Sequence, residues 1–155
     1  MLVKEKPILI LGVGNLLLKD EGIGVHVVRR LQKIDLPHDV EVLDGGTGGL
    51  DLLDSIVGRE KVIVVDTVKT GQAPGTIYRF SSEDIKDRPK SWLSLHDIDM
   101  TDLLKLADML EVKKPEIVVI GIEPKDMDSA DLKLSPEIEA RIPKVIELVM
   151  EEINN

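Results

Sequence analysis

Three stretches of this chain run apolar almost without a break: "ILILGV" from Ile8, the centre of "KVIVVDTV" from Lys61, and "EIVVIGI" from Glu116. Short runs rich in Val and Ile, with no polar residue at alternate positions, are strands buried on both faces. Such strands require helices above and below them, which means a mostly parallel sheet. The sequence between the runs supplies those helices. Ile23, Val27, Val28, Leu31 and Ile34 keep helical spacing. Leu50, Leu52, Leu53 and Ile56 make a shorter helical stripe, and the pattern turns helical again from about Asp97 to Leu110. Ile138, Ile142, Val145, Ile146, Val149 and Ile153 form the last stripe.

Two further strands are predicted. Val40 and Val42 lead into the glycine turn "DGGTGG", and "TIYRF" alternates as an edge strand does. "SSEDIKDRPKSW" reads as irregular. Ser135-Pro136 is a predicted helix start, with a capping oxygen followed by a proline whose missing N–H costs nothing there. Pro143 stands inside the stripe, where proline costs about 3 kcal/mol, so a kink or a restart is expected. The prediction is one α/β domain over residues 1–155, a twisted sheet between helices on both faces. Trp92, Tyr78 and Phe80 are the only aromatics, so the core must be built from Val, Ile and Leu.

Charge and residue usage exclude several kinds of function. A formal net charge of −9 opposes nucleic acid and anionic membrane surfaces, both of which need a basic face. The absence of cysteine removes disulfides, thiolate metal sites and cysteine nucleophiles. No apolar run nears the roughly 20 residues of a membrane span. "MLVKEKP" does not read as a signal peptide, so a cytoplasmic location is expected.

In sheets of this class, sites form beyond the carboxyl ends of the strands. The loop "GVGNLLLKDEGIG" leaves the first strand there. It resembles a dinucleotide cradle only in part: Gly12 and Gly14 fit, but Leu17 stands where a third glycine is needed for close helix–strand packing. Asp20 and Glu21 then place negative charge where a pyrophosphate would sit. For Asp20 the expected role is ordinary first-turn stabilisation of the helix. Asp66 ends the most apolar strand and is expected at the rim of the switch point. His96, in "SLHDIDM", opens a helix whose predicted cap is Ser94, and the positive end of that helix disfavours its protonated form. Glu21, Asp66 and His96 offer two carboxylates and an imidazole, a set that suits a divalent transition metal with positions left open. His26 and His38 are expected on the surface.

Taken together, "LILGVGNLLLKDEGIG", "LDGGTGGLDLL", "VIVVDTVKTGQAPGTI", "SLHDIDMTDLL", "VVIGIEPKDMD" and "LSPEIEARIPKVIELV" resemble the NiFe-hydrogenase maturation endopeptidases over nearly the whole chain. The resemblance implies a protease that trims the C-terminal tail of the hydrogenase large-subunit precursor. It assigns metal contact to Glu21, Asp66 and His96, and a substrate cleft to Asp44, Gly45, Gly46 and Thr47. The metal it implies is nickel carried by the precursor rather than held by the free enzyme. Asp66 is then the expected base for an attacking water. Two other readings stay open: a non-enzymatic nickel chaperone using the same three residues, and a dinucleotide-binding module.

Overall fold

The computed structural model describes residues 5–49, 51–86, 89 and 100–155, with backbone alone at 85–86 and 100–104. Five strands form one sheet in the order β2-β1-β3-β5-β4: β1 (Ile8–Val13), β2 (Val40–Gly46), β3 (Lys61–Thr67), β4 (Ile77–Ser81) and β5 (Glu116–Ile122). The β1–β2, β1–β3 and β3–β5 pairs are parallel, and β4 runs antiparallel along the outer edge of β5. The helices are α1 (Ile23–Leu31), α2 (Asp51–Ile56), α3 (Ser82–Lys86), α4 (Met100–Met109), α5 (Pro136–Glu139) and α6 (Ile142–Ile153), with a short 3-10 turn at Lys19–Gly22.

Strand parity divides the core in two. Ile10, Ile63, Val65, Val118 and Ile120 face one side, where Val27, Val28 and Leu31 of α1 and Val145 and Val149 of α6 cover them. Leu9, Leu11, Val62, Val64 and Val119 face the other, beneath Leu52, Leu53 and Ile56 of α2 and the α4 segment around Leu106. Each of these side chains contributes roughly 1.5–3 kcal/mol on full burial. That two-sided covering is why the central strands carry no polar alternation. Tyr78 and Arg79 on β4 are only partly covered or exposed, as an edge strand allows.

Among the described residues the predicted elements are present, with two local differences and the expected restart at Pro143. The "SSEDIK" stretch is helical (α3), fixed where Ser81 N–H and Oγ–H both donate to Asp84 Oδ2, at 2.9 and 3.0 Å. Pro143 produces a restart: α5 ends at Glu139, and α6 takes Pro143 into its first turn. Ser135 does stand at the α5 N-cap position with Pro136 after it, but its hydroxyl makes no cap hydrogen bond; it donates elsewhere, as described below.

The amino edge of the sheet carries a buried polar clamp. Lys61 Nζ donates to the Glu152 carbonyl at 2.8 Å and lies 3.0 Å from Glu152 Oε2, while Arg79 pairs with Oε1. Burial raises the Glu152 carboxyl, but Arg79 and Lys61 outweigh it and hold its pKa below the ordinary value. The opposite, carboxyl edge is where the chain turns away from β1 in both directions, to β2 on one side and β3 on the other. That divergence opens the crevice in which sheets of this class bind ligands.

Candidate functional site

The first loop returns on itself immediately after β1. Gly14 has φ +141°, a conformation that side chains disfavour, and a Cβ there would lie 1.9 Å from the Glu21 carbonyl oxygen. Leu18 N–H donates to the Asn15 carbonyl and Glu21 N–H to the Leu18 carbonyl, each at 3.1 Å. The 3-10 turn carrying Glu21 therefore closes over the end of β1 and rests beside β3. The glycine that permits close helix–strand packing is present, though not at position 17. It is Gly24, where an added Cβ would meet the Val65 carbonyl oxygen at 2.3 Å and that of Val13 at 2.5 Å. The first turn of α1 is thus seated directly on the carboxyl ends of β1 and β3.

Asp66 follows Val65 on β3 and is fully buried rather than exposed at the rim. Its position in register is opposite Gly121 of β5, and its Oδ1 accepts a 2.8 Å hydrogen bond from Thr67 N–H. Glu21, by contrast, is half-buried. Glu21 lies on the 3-10 turn that rests beside β3, the strand that carries Asp66 near its carboxyl end. His96, like Ser94 and Asp97, lies outside the described residues, and among the described residues no group of three or more His, Asp or Glu is gathered to hold an ion.

The loop at the end of β2 joins the first loop through Gly14 N–H, which donates to the Gly46 carbonyl at 2.9 Å. Asp44 Oδ1 accepts from Gly46 N–H at 3.1 Å, and its Oδ2 lies 3.7 Å from Arg29 Nε. Asp44 and Thr47 are exposed, while Gly45 and Gly46 are partly covered. These four residues lie beside the first loop, held to it by the Gly14–Gly46 bond.

Two polar residues at or near this edge have roles that the sequence patterns did not reveal. Asp20 is fully buried and accepts hydrogen bonds from across the loop cluster, so it is not a solvated first-turn acid. Glu123, just beyond β5, is also buried; Tyr78 Oη donates to its Oε1 at 2.7 Å, and Thr70 N–H and Oγ1–H each do so at 3.0 Å. Burial raises the Glu123 carboxyl, yet these donors prevail and lower its pKa. The only signal for Glu123 was an acid directly after an apolar strand, the same signal that marked Asp66.

His26 is half-buried rather than solvated, and its Nε2 is buried without a hydrogen-bond partner among the described residues. Burial lowers its pKa below 6.5, with Arg29 and Arg30 acting in the same direction and the Leu132 carbonyl and Glu139 opposing. His38 is exposed. A histidine with a lowered folded pKa contributes stability that is present above pH 6.5 and is lost as pH falls through the folded value. Thermal melts from about pH 7.5 to 5 are therefore expected to fall more steeply for the wild type than for His26→Gln. Parallel curves would remove His26 from the acid response.

Comparison with known proteins agrees with this architecture. The family model for hydrogenase maturation proteases matches residues 25–152. The hydrogenase 2 maturation protease of Escherichia coli is 34% identical over 145 residues, covering 92% of this chain and 88% of that protein. Among solved structures, the E. coli hydrogenase maturating endopeptidase HybD superposes with a TM-score of 0.80 at 32% identity, over 95% of this chain and 91% of that one. The NiFe-hydrogenase maturation protease HybD of Thermococcus kodakarensis gives 0.75 at 31% identity, over 93% and 97%. The chain belongs to the hydrogenase maturation protease family, whose members are endopeptidases. No helix among the described residues is long and apolar enough to cross a membrane.

Proposed function

We propose that this peptidase acts in the cytoplasm on a NiFe-hydrogenase large-subunit precursor, removing its C-terminal tail once nickel has been inserted. The observation that carries the reading is the seating of Gly24 on the Val13 and Val65 carbonyls, which brings the Glu21 turn to the strand end that holds Asp66. Glu21, Asp66 and His96 are the residues that contact the precursor's nickel. Oxygen and imidazole donors suit that ion, and the stretch from Asp44 to Thr47 gives the surrounding polypeptide a place to lie. Nickel supplies open coordination positions and fixes where the precursor sits.

The enzyme's own groups then do the rest. Glu21 and Asp66 orient the scissile bond, and orientation alone can lower a barrier by roughly 7–11 kcal/mol. Asp66 takes a proton from the water whose oxygen bonds to the scissile carbonyl carbon, and passes it to the amine nitrogen that departs as the C–N bond breaks. A ligand set without thiolate discriminates poorly among divalent ions, so selectivity for nickel rests with the precursor.

The test is a mass measurement of precursor before and after incubation with enzyme freed of metal by chelation and dialysis. Nickel-loaded precursor is expected to lose its tail and nickel-free precursor to stay intact, with zinc added to the enzyme alone giving no rescue. Efficient cleavage of the nickel-free form would remove the nickel checkpoint. Intact loaded precursor together with tight nickel binding by the free protein would favour the chaperone reading.

A further inference from the structure

The first loop and the segment between β5 and α5 are fastened together through one buried side chain. Asp20 Oδ2 accepts from the backbone N–H of Lys125 and Asp126, at 3.0 and 2.9 Å, and from Ser135 Oγ–H at 2.8 Å. Its Oδ1 accepts from Ser135 N–H at 2.7 Å. Backbone bonds repeat the link: Asp20 N–H to the Asp126 carbonyl at 3.0 Å, Lys19 N–H to that of Asp131 at 2.9 Å, and Asp131 N–H to that of Leu17 at 3.0 Å.

A carboxyl group removed from water is costly unless its lone pairs are filled. Here all of the donors come from the far end of the chain, so they cannot be explained by local helix capping. What the arrangement constrains is the next residue. Glu21 is hemmed on one side by Gly14, which has no side chain to keep the Glu21 carbonyl away. On the other side its neighbour's side chain is locked in place. Glu21 N–H itself closes the turn onto the Leu18 carbonyl.

We infer that Asp20 is a positioning residue: it fixes Glu21 in the crevice and ties that placement to the 125–135 segment through Ser135. The inference rests on the proposed role of Glu21 for its catalytic consequence, but not for its structural one. Ser135→Ala removes only one of the donors, the hydroxyl, and spares the carboxyl group.

The experiment pairs amide hydrogen exchange with cleavage kinetics on Asp20→Asn, and on Ser135→Ala in case the first does not fold. In Asp20→Asn the Glu21 amide is expected to exchange about tenfold faster or more, while Val64 and Val119 in the central strands keep their wild-type protection. At a temperature where circular dichroism shows both proteins folded, kcat on nickel-loaded precursor is expected to fall about tenfold, with KM nearly unchanged, because orientation rather than affinity is lost. Ser135→Ala should move both readings in the same direction by less.

Three results would overturn the inference: unchanged exchange at Glu21 in the folded variants, equal acceleration at Val64 and Val119, or no protection of Glu21 in the wild type. If the wild type does not cut the precursor, the functional reading fails, and the exchange data still decide whether Asp20 holds Glu21.

Discussion

Glu21→Gln and Asp66→Asn are each expected to reduce cleavage of nickel-loaded precursor by at least about 10²-fold, the scale on which misplacing a reacting group slows catalysis. Their effects on stability should differ. Glu21 is half-buried on a turn, so its substitution should cost within about 0.5 kcal/mol. Asp66 is fully buried and accepts the Thr67 N–H, so its substitution should cost about 1–3 kcal/mol. Denaturant melts beside cleavage assays separate the two. Activity that survives in either folded variant would take that residue out of the site. His38→Ala, an exposed histidine, is the silent control.

Gly24→Ala is expected to be among the most damaging single methyl additions. Its Cβ would meet two strand carbonyl oxygens, neither of which can swing aside as a flexible side chain would. Overpacking of this kind costs about 3 kcal/mol or more, a large share of a domain's stability. Gly71→Ala is the informative partner: φ is +95° there, but nothing lies within 4 Å, so only backbone strain is introduced. A Gly24→Ala protein that melts like Gly71→Ala would mean that α1 can lift from the sheet. It would also mean that the Glu21 turn is not held where the crevice needs it.

The sheet was legible in the sequence because burial on both faces leaves a mark that survives without coordinates, in the unbroken runs of β1, β3 and β5. The edge position of β4 was equally readable from the alternation of "TIYRF". Pro143 announced its own restart. The short α3 was not foreseen, since a few polar residues closed by a serine–aspartate bond carry no apolar period. Glu21 and Asp66 were singled out as acids at strand ends, whereas the substrate cleft at Asp44, Gly45, Gly46 and Thr47 came from the resemblance to the family. Burial was not legible. Asp66 and Asp20 look in sequence like surface acids; the covered end of β3 buries the first, and distant donors such as Ser135 surround the second. Gly24 was hidden for a related reason: its need is set by the approach of β3, far along the chain. His96 lies outside the described residues, so the imidazole of the trio stands on the sequence alone.

The Lys61–Glu152 clamp fixes the last helix to the amino edge of the sheet, away from the crevice at the carboxyl edge. Glu151, its exposed neighbour on α6, therefore marks a handle on the molecule's reverse side. Because the sequence has no cysteine, Glu151→Cys would introduce a unique thiol there. A protein coupled to a support through that sulfur would present its crevice outward in a uniform orientation, and a dye at the same point would report on a docked precursor without standing in its way.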